Sequence, residues 1–135
     1  MKIITTLILS VLFLSSCELG KIDEVKSRSM VEQLLTDLKN ENYSSLDKYY
    51  TSSFNESEPQ EQKIEKFRQL KETMGNIKSF ELLSSKKQHD PDKGINQLEL
   101  KYKVVCERVT VQETYLVIND EGEEKIIFQN IENLK

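Results

Sequence analysis

The sequence is poor in several residue types, and each shortage excludes a class of protein. Its 135 residues include two cysteines, two prolines, four glycines, one histidine, and neither tryptophan nor alanine. So little glycine and proline excludes collagen-like and low-complexity chains. Lys and Arg number 19 against 23 Asp and Glu, which gives a formal net charge of −4. Without a cationic excess to neutralise phosphates, nonspecific binding to nucleic acid or to an anionic lipid surface is not expected.

The common signatures of enzyme sites are also missing. The chain contains no G-x-G-x-x-G, P-loop, H-E-x-x-H, C-x-x-C or G-x-S-x-G sequence, so nucleotide, zinc-protease, redox and hydrolase motifs are absent. The single histidine, His89, lies beside Asp90 and Asp92 among turn-forming residues, and we predict that it is solvated. Asp90-x-Asp92-x-Gly94 is only a fragment of a calcium loop. We therefore predict no metal site and no cofactor.

The first 16 residues have the layout of a secretory signal peptide. Lys2 supplies a positive charge, residues 3–14 form an apolar stretch, and Ser15 and Ser16 are small residues that end the segment. A membrane-spanning helix needs about 20 apolar residues. This stretch is shorter than that, and it is typical of an export signal that is removed from the mature protein.

The residues Leu14-Ser15-Ser16-Cys17 resemble the lipobox of bacterial lipoproteins. In that family the signal is cut just before the cysteine, which carries a diacylglyceryl thioether. The resemblance implies a signal peptide at residues 1–16, a lipidated tether at residues 17–21 with the lipid on Cys17, and a single domain at residues 22–135. It also implies anchorage in the bacterial cell envelope, and Glu18, unlike Asp, favours the outer membrane where the organism has one.

Lipidation of Cys17 leaves Cys106 as the other cysteine of the mature chain, so no intramolecular disulfide is expected. Cys106 lies on an apolar strand face, and we predict that it is a buried hydrophobic side chain. The exported domain is therefore expected to be held together by its core alone.

Helical periodicity dominates the first half of the mature chain. A first helix is predicted from Ser27 onward, where apolar residues recur at helical spacing: Met30, Val31, Leu34, Leu35 and Leu38. A short second helix is predicted with Leu46, Tyr49 and Tyr50 on its apolar side. Ser44 and Asp47 form an approximate capping box at its start.

A third helix is predicted to begin at Ser57-Glu58-Pro59-Gln60, with Ser57 as its cap and proline in its first turn. It should end at Gly75 and direct four apolar residues inward: Ile64, Phe67, Leu70 and Met74. Its charged residues are predicted to form a solvated face: Glu61, Lys63, Glu65, Lys66, Lys71 and Glu72.

After Gly75 the periodicity changes to that of strands. Strands are predicted at residues 77–87, 97–106, 109–119 and 125–131, with turn-forming residues between them. The second strand alternates strictly, with Leu98, Leu100, Tyr102, Val104 and Cys106 on one face. Helices followed by a strand meander predict an α+β fold, in which the N-terminal helices pack on one face of a curved antiparallel sheet.

The order of elements and three short phrases resemble small bacterial lipoproteins with a nuclear-transport-factor-2-like, or cystatin-like, domain. The phrases are Tyr43-Ser-Ser-Leu46, Met74-Gly-Asn-Ile-Lys-Ser-Phe80 and Glu113-Thr-Tyr-Leu-Val-Ile-Asn-Asp-Glu-Gly-Glu-Glu-Lys-Ile-Ile127. The resemblance implies a cone-shaped fold whose sheet wraps toward the helices and can enclose a pocket. It implies no activity, because this fold hosts enzymes and binding modules alike.

Glu113 is the one acidic residue on an otherwise apolar strand face, in phase with Val109, Val111, Tyr115 and Val117. If this face points into the cone, Glu113 forms a candidate ligand pocket with Tyr50, Tyr102 or Tyr115, and burial would raise its pKa as acid–base chemistry requires. The alternative is that this face is the outer one, or that Glu113 lies at the rim. The side chains pointing inward would then be Thr114, Leu116 and Ile118.

We therefore expect an envelope lipoprotein that contacts the membrane through the lipid on Cys17 and has no catalytic residue. Its domain would be a non-enzymatic interaction module, for another envelope protein or for a small apolar ligand. Two alternatives remain open. One is a pocket enzyme that uses Glu113 for acid–base chemistry, and the other is a purely structural partner of an envelope protein, which would present an exposed apolar patch.

Overall fold

A computed structural model describes residues 21–134, which form three α-helices followed by a four-stranded sheet. The helices are α1 (Glu24–Lys39), α2 (Ser52–Ser57) and α3 (Gln60–Met74), and a 3-10 turn spans Leu46–Tyr49. The strands are β1 (Ile77–Asp90), β2 (Ile95–Cys106), β3 (Thr110–Asp120) and β4 (Glu123–Asn133). Neighbours in the order β1-β2-β3-β4 are all antiparallel. The predicted α+β arrangement is confirmed.

The predicted signal peptide and Cys17 lie outside the described residues, so export and lipidation stay predictions. The structure describes the predicted tether only at Lys21. Within residues 21–134, no helix combines the length and the apolar character needed to cross a membrane.

Helix α1 begins at Glu24, three residues before the predicted start. The Asp23 side chain caps it by accepting a 3.0 Å hydrogen bond from the backbone N–H of Lys26, because the first turn of a helix has N–H groups without partners of their own. Its buried face contains four of the predicted residues, Val31, Leu34, Leu35 and Leu38. This face packs the helix into the core.

The prediction of a second α-helix is wrong, because the structure has a 3-10 turn in its place. Leu46–Tyr49 is a single 3-10 turn whose N-cap, Ser45, makes no side-chain capping bond. Tyr50 is already extended and pairs with Ile126 of β4, and the N–H of Thr51 donates to the Ile126 carbonyl at 3.1 Å. Pairing with a strand edge prevents the chain from continuing as a helix, so α2 begins anew at Ser52.

The start of α3 also differs from the predicted capping box. Ser57 is the last residue of α2, and Pro59 occupies the N-cap of α3 without a side-chain capping bond. The end of α3 at Gly75 is as predicted. Phe67 is buried on its inner face, while Ile64, Leu70 and Met74 pack against the core and are partly buried.

The sheet buries the face that strict alternation predicted. On β2 the inward residues Leu98, Leu100, Tyr102 and Val104 are fully buried, and Cys106 is 5% exposed. Strand β1 extends through His89 and Asp90, which were predicted to lie in a turn. Bulges interrupt β1 near Ile77 and Leu82, and β3 and β4 slip at Leu116. Such bulges bend a strand and increase its twist.

The two ends of the domain differ. We call the end with the β1–β2 and β3–β4 turns, at residues 91–94 and 121–122, the hairpin end, and the end with Gly75 and residues 107–109 the open end. Helix α1 starts at the hairpin end, where Asn119 Nδ2 donates to the Lys21 carbonyl at 3.1 Å. With 16 residues it is about 24 Å long. It therefore connects the two ends.

Gly75 gives a test of how tightly the open end is built. Its φ is 84° and its ψ −176°, a region essentially restricted to glycine, and a Cβ there would lie 2.7 Å from Glu107 Cβ. We predict that Gly75→Ala lowers the free energy of unfolding by about 2–4 kcal/mol in urea denaturation. The control is Gly94→Ala, at φ 64° with no atom within 4 Å, which should cost only about 1 kcal/mol. Equal losses would contradict the steric argument.

Candidate functional site

Glu113 lies on β3 and points into the domain. Strand alternation places it on the same face as Val111, Tyr115 and Val117, all of which are buried, and Glu113 itself is 3% exposed. Its neighbours across the sheet are Tyr102 of β2 and Ile131 of β4. Of the two orientations that the sequence left open, the inward one is therefore correct.

The Glu113 carboxyl group is part of a hydrogen-bonded network with Tyr115, Gln129 and Tyr50. The Tyr115 hydroxyl donates to Glu113 Oε1 at 2.8 Å, and Gln129 Nε2 donates to the same oxygen at 3.3 Å. The Tyr50 hydroxyl donates to Gln129 Oε1 at 2.7 Å. Both bonds to Glu113 thus reach one oxygen. Within residues 21–134, no hydrogen bond to Oε2 is found.

Burial sets the ionisation of this network. Loss of solvent raises the pKa of Glu113 above the ordinary value, and the hydrogen bonds from Tyr115 and Gln129 together with the charge of Lys66 offset part of that rise. Burial also raises the pKa of Tyr50 and of Tyr115 well above 10, and the nearby Glu113 adds to both shifts. The protonated carboxyl is therefore favoured over a wider pH range than in a solvated glutamate.

A cavity of about 40 Å³ opens beside Glu113 at the open end of the domain. It lies between the last turn of α1, α3 and the ends of the strands. Its polar lining includes Glu113, Cys106, Lys39 and Lys71. Its apolar walls come mainly from six side chains: Leu38, Phe67, Leu70, Met74, Ile77 and Ile131. Helices and strands thus form an apolar recess with a carboxyl group in its wall.

Tyr102 is separate from the network although the sequence placed it among the candidates. It is fully buried and packs edge-to-face on Phe80 and Tyr115, with ring centroids 6.4 and 6.2 Å apart. Its hydroxyl has no hydrogen-bond partner among the residues that the structure describes. Burial raises its pKa to about 12. The structure therefore brings together Tyr50, Glu113 and Tyr115 of the four predicted pocket residues, and Tyr102 is a core side chain beside them.

Cys106 is buried, as predicted, and it also lines the cavity. Burial raises the pKa of its thiol, and the neighbouring Glu113 contributes to the same rise. A thiol in this environment stays protonated and unreactive.

Sequence reasoning missed Gln129, which links Tyr50 to Glu113. Gln129 is the cross-strand partner of Tyr115, but β4 is slipped by one residue between Phe128 and Ile126. Unbroken alternation from the buried Ile126 would place Gln129 on the outer face, and the slip moves it to the inner face. No simple periodicity in the sequence signals its position.

Sequence reasoning was wrong about Lys63, which was assigned to a solvated helix face. Its side chain is completely buried, and Nζ contacts Asp47 Oδ1 at 2.7 Å, Asn55 Oδ1 at 2.8 Å and the Glu58 carbonyl. An ammonium group has three N–H donors, so each has an acceptor. Spacing could have revealed the burial of Lys63, because Lys63 precedes the inward Phe67 by one helical turn and therefore lies on the same face of α3.

The Lys63 ammonium also lies over two aromatic rings, 4.9 Å from the Tyr50 centroid and 5.4 Å from that of Phe54. These rings stack on one another with centroids 4.5 Å apart. Attraction between a buried cation and ring faces adds to the hydrogen bonds. Lys63 therefore fixes Tyr50, whose hydroxyl reaches the Glu113 network.

The remaining candidates do not form a site. His89 lies exposed on β1, with Nδ1 3.0 Å from Asn96 Oδ1. Asp90 Oδ1 accepts from the backbone N–H groups of Asp92 and Lys93, so it serves the turn. Between residues 21 and 134, no group of three or more His, Cys, Asp or Glu side chains is arranged to hold a metal ion.

No protein-family model matches the chain, and no curated protein matches it.

Because the ammonium group of Lys63 is buried, substitution of Lys63 should lower the free energy of unfolding more than substitution of Lys66 on the same helix. We predict that Lys63→Met lowers the free energy of unfolding by about 2–3 kcal/mol in urea denaturation, because three acceptors lose a charged donor. Lys66, paired with Glu58 and 37% exposed, is the control, and Lys66→Met should cost less than about 1 kcal/mol. A loss at Lys63 no greater than at Lys66 would refute the structural role of the buried ammonium.

The raised pKa of Glu113 predicts how stability depends on pH. Above the ordinary value of 4.5, the unfolded chain releases this proton before the folded chain does. The folded state then binds more protons, so this group makes stability fall as pH rises until the folded chain also releases the proton.

We predict that Glu113→Gln removes this loss, and that its free energy of unfolding rises relative to wild type between pH 4 and pH 8. Urea denaturation across that range measures the difference, with the exposed Glu121→Gln as the control for loss of one carboxyl. A difference that is constant with pH would contradict the assignment.

Proposed function

We propose that the protein is a lipid-anchored protein of the bacterial envelope whose domain binds a small ligand in the Glu113 cavity. One observation carries the binding function: an apolar recess contains a buried carboxyl group with one oxygen left without a hydrogen bond from residues 21–134. Within residues 21–134, the fully buried side-chain polar atoms without a hydrogen-bond partner are Glu58 Oε1 and the Tyr102 hydroxyl, and Glu113 Oε2 is not one of them. A molecule in the cavity can therefore reach Oε2 and supply its partner.

We also propose that the chain is one of the small lipoproteins with a nuclear-transport-factor-2-like, or cystatin-like, domain. The order of three helices and a four-stranded antiparallel meander supports this assignment. The proposed anchor rests on the lipobox-like residues Leu14-Ser15-Ser16-Cys17. Glu18 after the cysteine supports the outer membrane for an organism that has one.

The positions of the tether and the cavity support the combination of these two roles. Lys21 is held at the hairpin end through Asn119, and the Asp23 N–H donates to Glu124 Oε1 at 3.2 Å. Leu38 and Lys39, at the other end of α1, line the cavity. A lipid on Cys17 would therefore hold the hairpin end toward the bilayer and leave the cavity open to the aqueous phase.

A second candidate function is acid–base catalysis by Glu113. Burial beside Tyr115 favours it, because proton-transfer carboxyl groups have raised pKa values. Two observations favour binding instead. The cavity has room for only one or two heavy atoms, and no second carboxyl or histidine of residues 21–134 lines it. A purely structural role is less supported, since the large apolar side chains exposed within residues 21–134, Val25, Leu83 and Phe128, belong to three different elements.

The anchor is tested by labelling cells that express the protein with an alkyne-tagged fatty acid. We predict that wild type incorporates the label and sediments with membranes, and that globomycin, which blocks the lipoprotein signal peptidase, leaves an uncleaved precursor. Cys17→Ala should lose the label and the membrane association, whereas Cys106→Ala, which changes the other cysteine, should keep both. Membrane association of Cys17→Ala equal to wild type would overturn the anchor.

A further inference from the structure

We infer that the Glu113 cavity takes the end of a short, uncharged aliphatic molecule that bears one hydrogen-bond acceptor, such as a ketone carbonyl, and that Glu113 donates a hydrogen bond to it through Oε2. This inference rests on the proposed ligand-binding function and names the chemical class of its ligand.

The size of the cavity limits what enters it. Its volume is about 40 Å³, whereas sites for drug-sized molecules measure roughly 300–1,000 Å³. One or two heavy atoms fill a space of this size, since one molecule of liquid water takes about 30 Å³. A longer molecule would therefore insert only its end and leave the remainder at the mouth.

The apolar walls of the cavity disfavour ionic ligands. Apolar walls cannot solvate an ion, and burying an unpaired charge is costly. Lys39 and Lys71 among the lining residues repel a cation. Lys71 also pairs with Glu41. Lysines attract an anion, but the apolar walls would strip its hydration. An uncharged group avoids both the repulsion and the loss of hydration.

The hydrogen bonds within the network select an acceptor. Tyr115 and Gln129 both donate to Oε1, so in the protonated carboxyl, which burial favours, the proton lies on Oε2. The titratable groups around Glu113 are Tyr115 on its own strand, Tyr102 and Cys106 on β2, Tyr50 after the 3-10 turn and Lys66 on α3. Lys39, Tyr43 and Lys71 line the same cavity. Burial outweighs the charge of Lys66 in the pKa of Glu113. A carbonyl oxygen then completes the network.

The chain contains its own reporter for a test. Of its three methionines, Met74 lines the cavity, whereas Met30 packs elsewhere against the core. The mature lipidated protein, labelled with ¹³C-methyl methionine and held in detergent micelles, would be titrated with 2-pentanone, pentanoate and pentylamine at pH 5.5. The Met30 signal controls for effects of the probes on the micelle.

We expect 2-pentanone to shift the Met74 methyl signal saturably without moving Met30, and to bind at least tenfold more tightly than either charged probe. Glu113→Leu should weaken 2-pentanone about threefold to tenfold, the value of one hydrogen bond. Raising the pH to 9 should weaken binding to wild type but not to Glu113→Gln, which keeps a donor and cannot ionise. Glu113→Gln also serves if the Leu variant does not fold.

Other results would overturn the inference in distinguishable ways. Equal affinity for a charged probe would reject the ligand class and leave the cavity as a binding site. The same conclusion would follow if 2-pentanone bound Glu113→Leu as tightly as wild type and its binding to wild type did not change with pH. No saturable shift of Met74 with any of the three probes would reject the proposed binding function as well.

Discussion

The structure depends on one buried ammonium group. Lys63 reaches under the segment between α1 and α3, where it satisfies its donors on Asp47, Asn55 and the Glu58 carbonyl and lies over the rings of Tyr50 and Phe54. A charge in a protein interior is tolerated only when it is fully paired. That requirement fixes a segment that contains only short helical pieces. It also holds Tyr50 against the edge of β4, from which the hydrogen bonds continue through Gln129 to Glu113.

Glu113 shows the opposite use of a buried ionisable group. Lys63 has a partner for each donor, but Glu113 has hydrogen bonds on one oxygen only and lines an opening to solvent. The first arrangement stabilises a conformation. The second leaves one carboxyl oxygen of Glu113 without a hydrogen bond from residues 21–134, which lowers stability. The two groups are connected through Tyr50, so the rigidity supplied by Lys63 also positions the carboxyl of Glu113. A preorganised polar group of this kind binds a partner with little further ordering.

The fold could be predicted from the sequence wherever one periodicity ran uninterrupted. Alternation on β2 and helical spacing on α1 gave the correct elements and buried faces, because those elements bury one continuous face. Prediction failed where tertiary pairing overrode local signals: Tyr50 and Thr51 joined a strand edge and ended the second helix, and a slip in β4 concealed Gln129. At the site, Glu113, Tyr102 and Tyr115 were identified by their positions on strands, whereas Tyr50 was assigned to the predicted second helix. Lys63 was missed because charge was taken to mean exposure, although its spacing to Phe67 indicated the inner face.

The composition of the hairpin end has a consequence for how such a domain would sit above a membrane. Its two turns and their flanks are rich in carboxylates: Asp90, Asp92, Asp120, Glu121, Glu123 and Glu124. In a chain anchored at Cys17 this end would face the lipid headgroups, and an anionic leaflet would repel it over a screening length of about 8 Å. The lipid would then hold the domain at the bilayer while the repulsion keeps the acidic turns away from the headgroups.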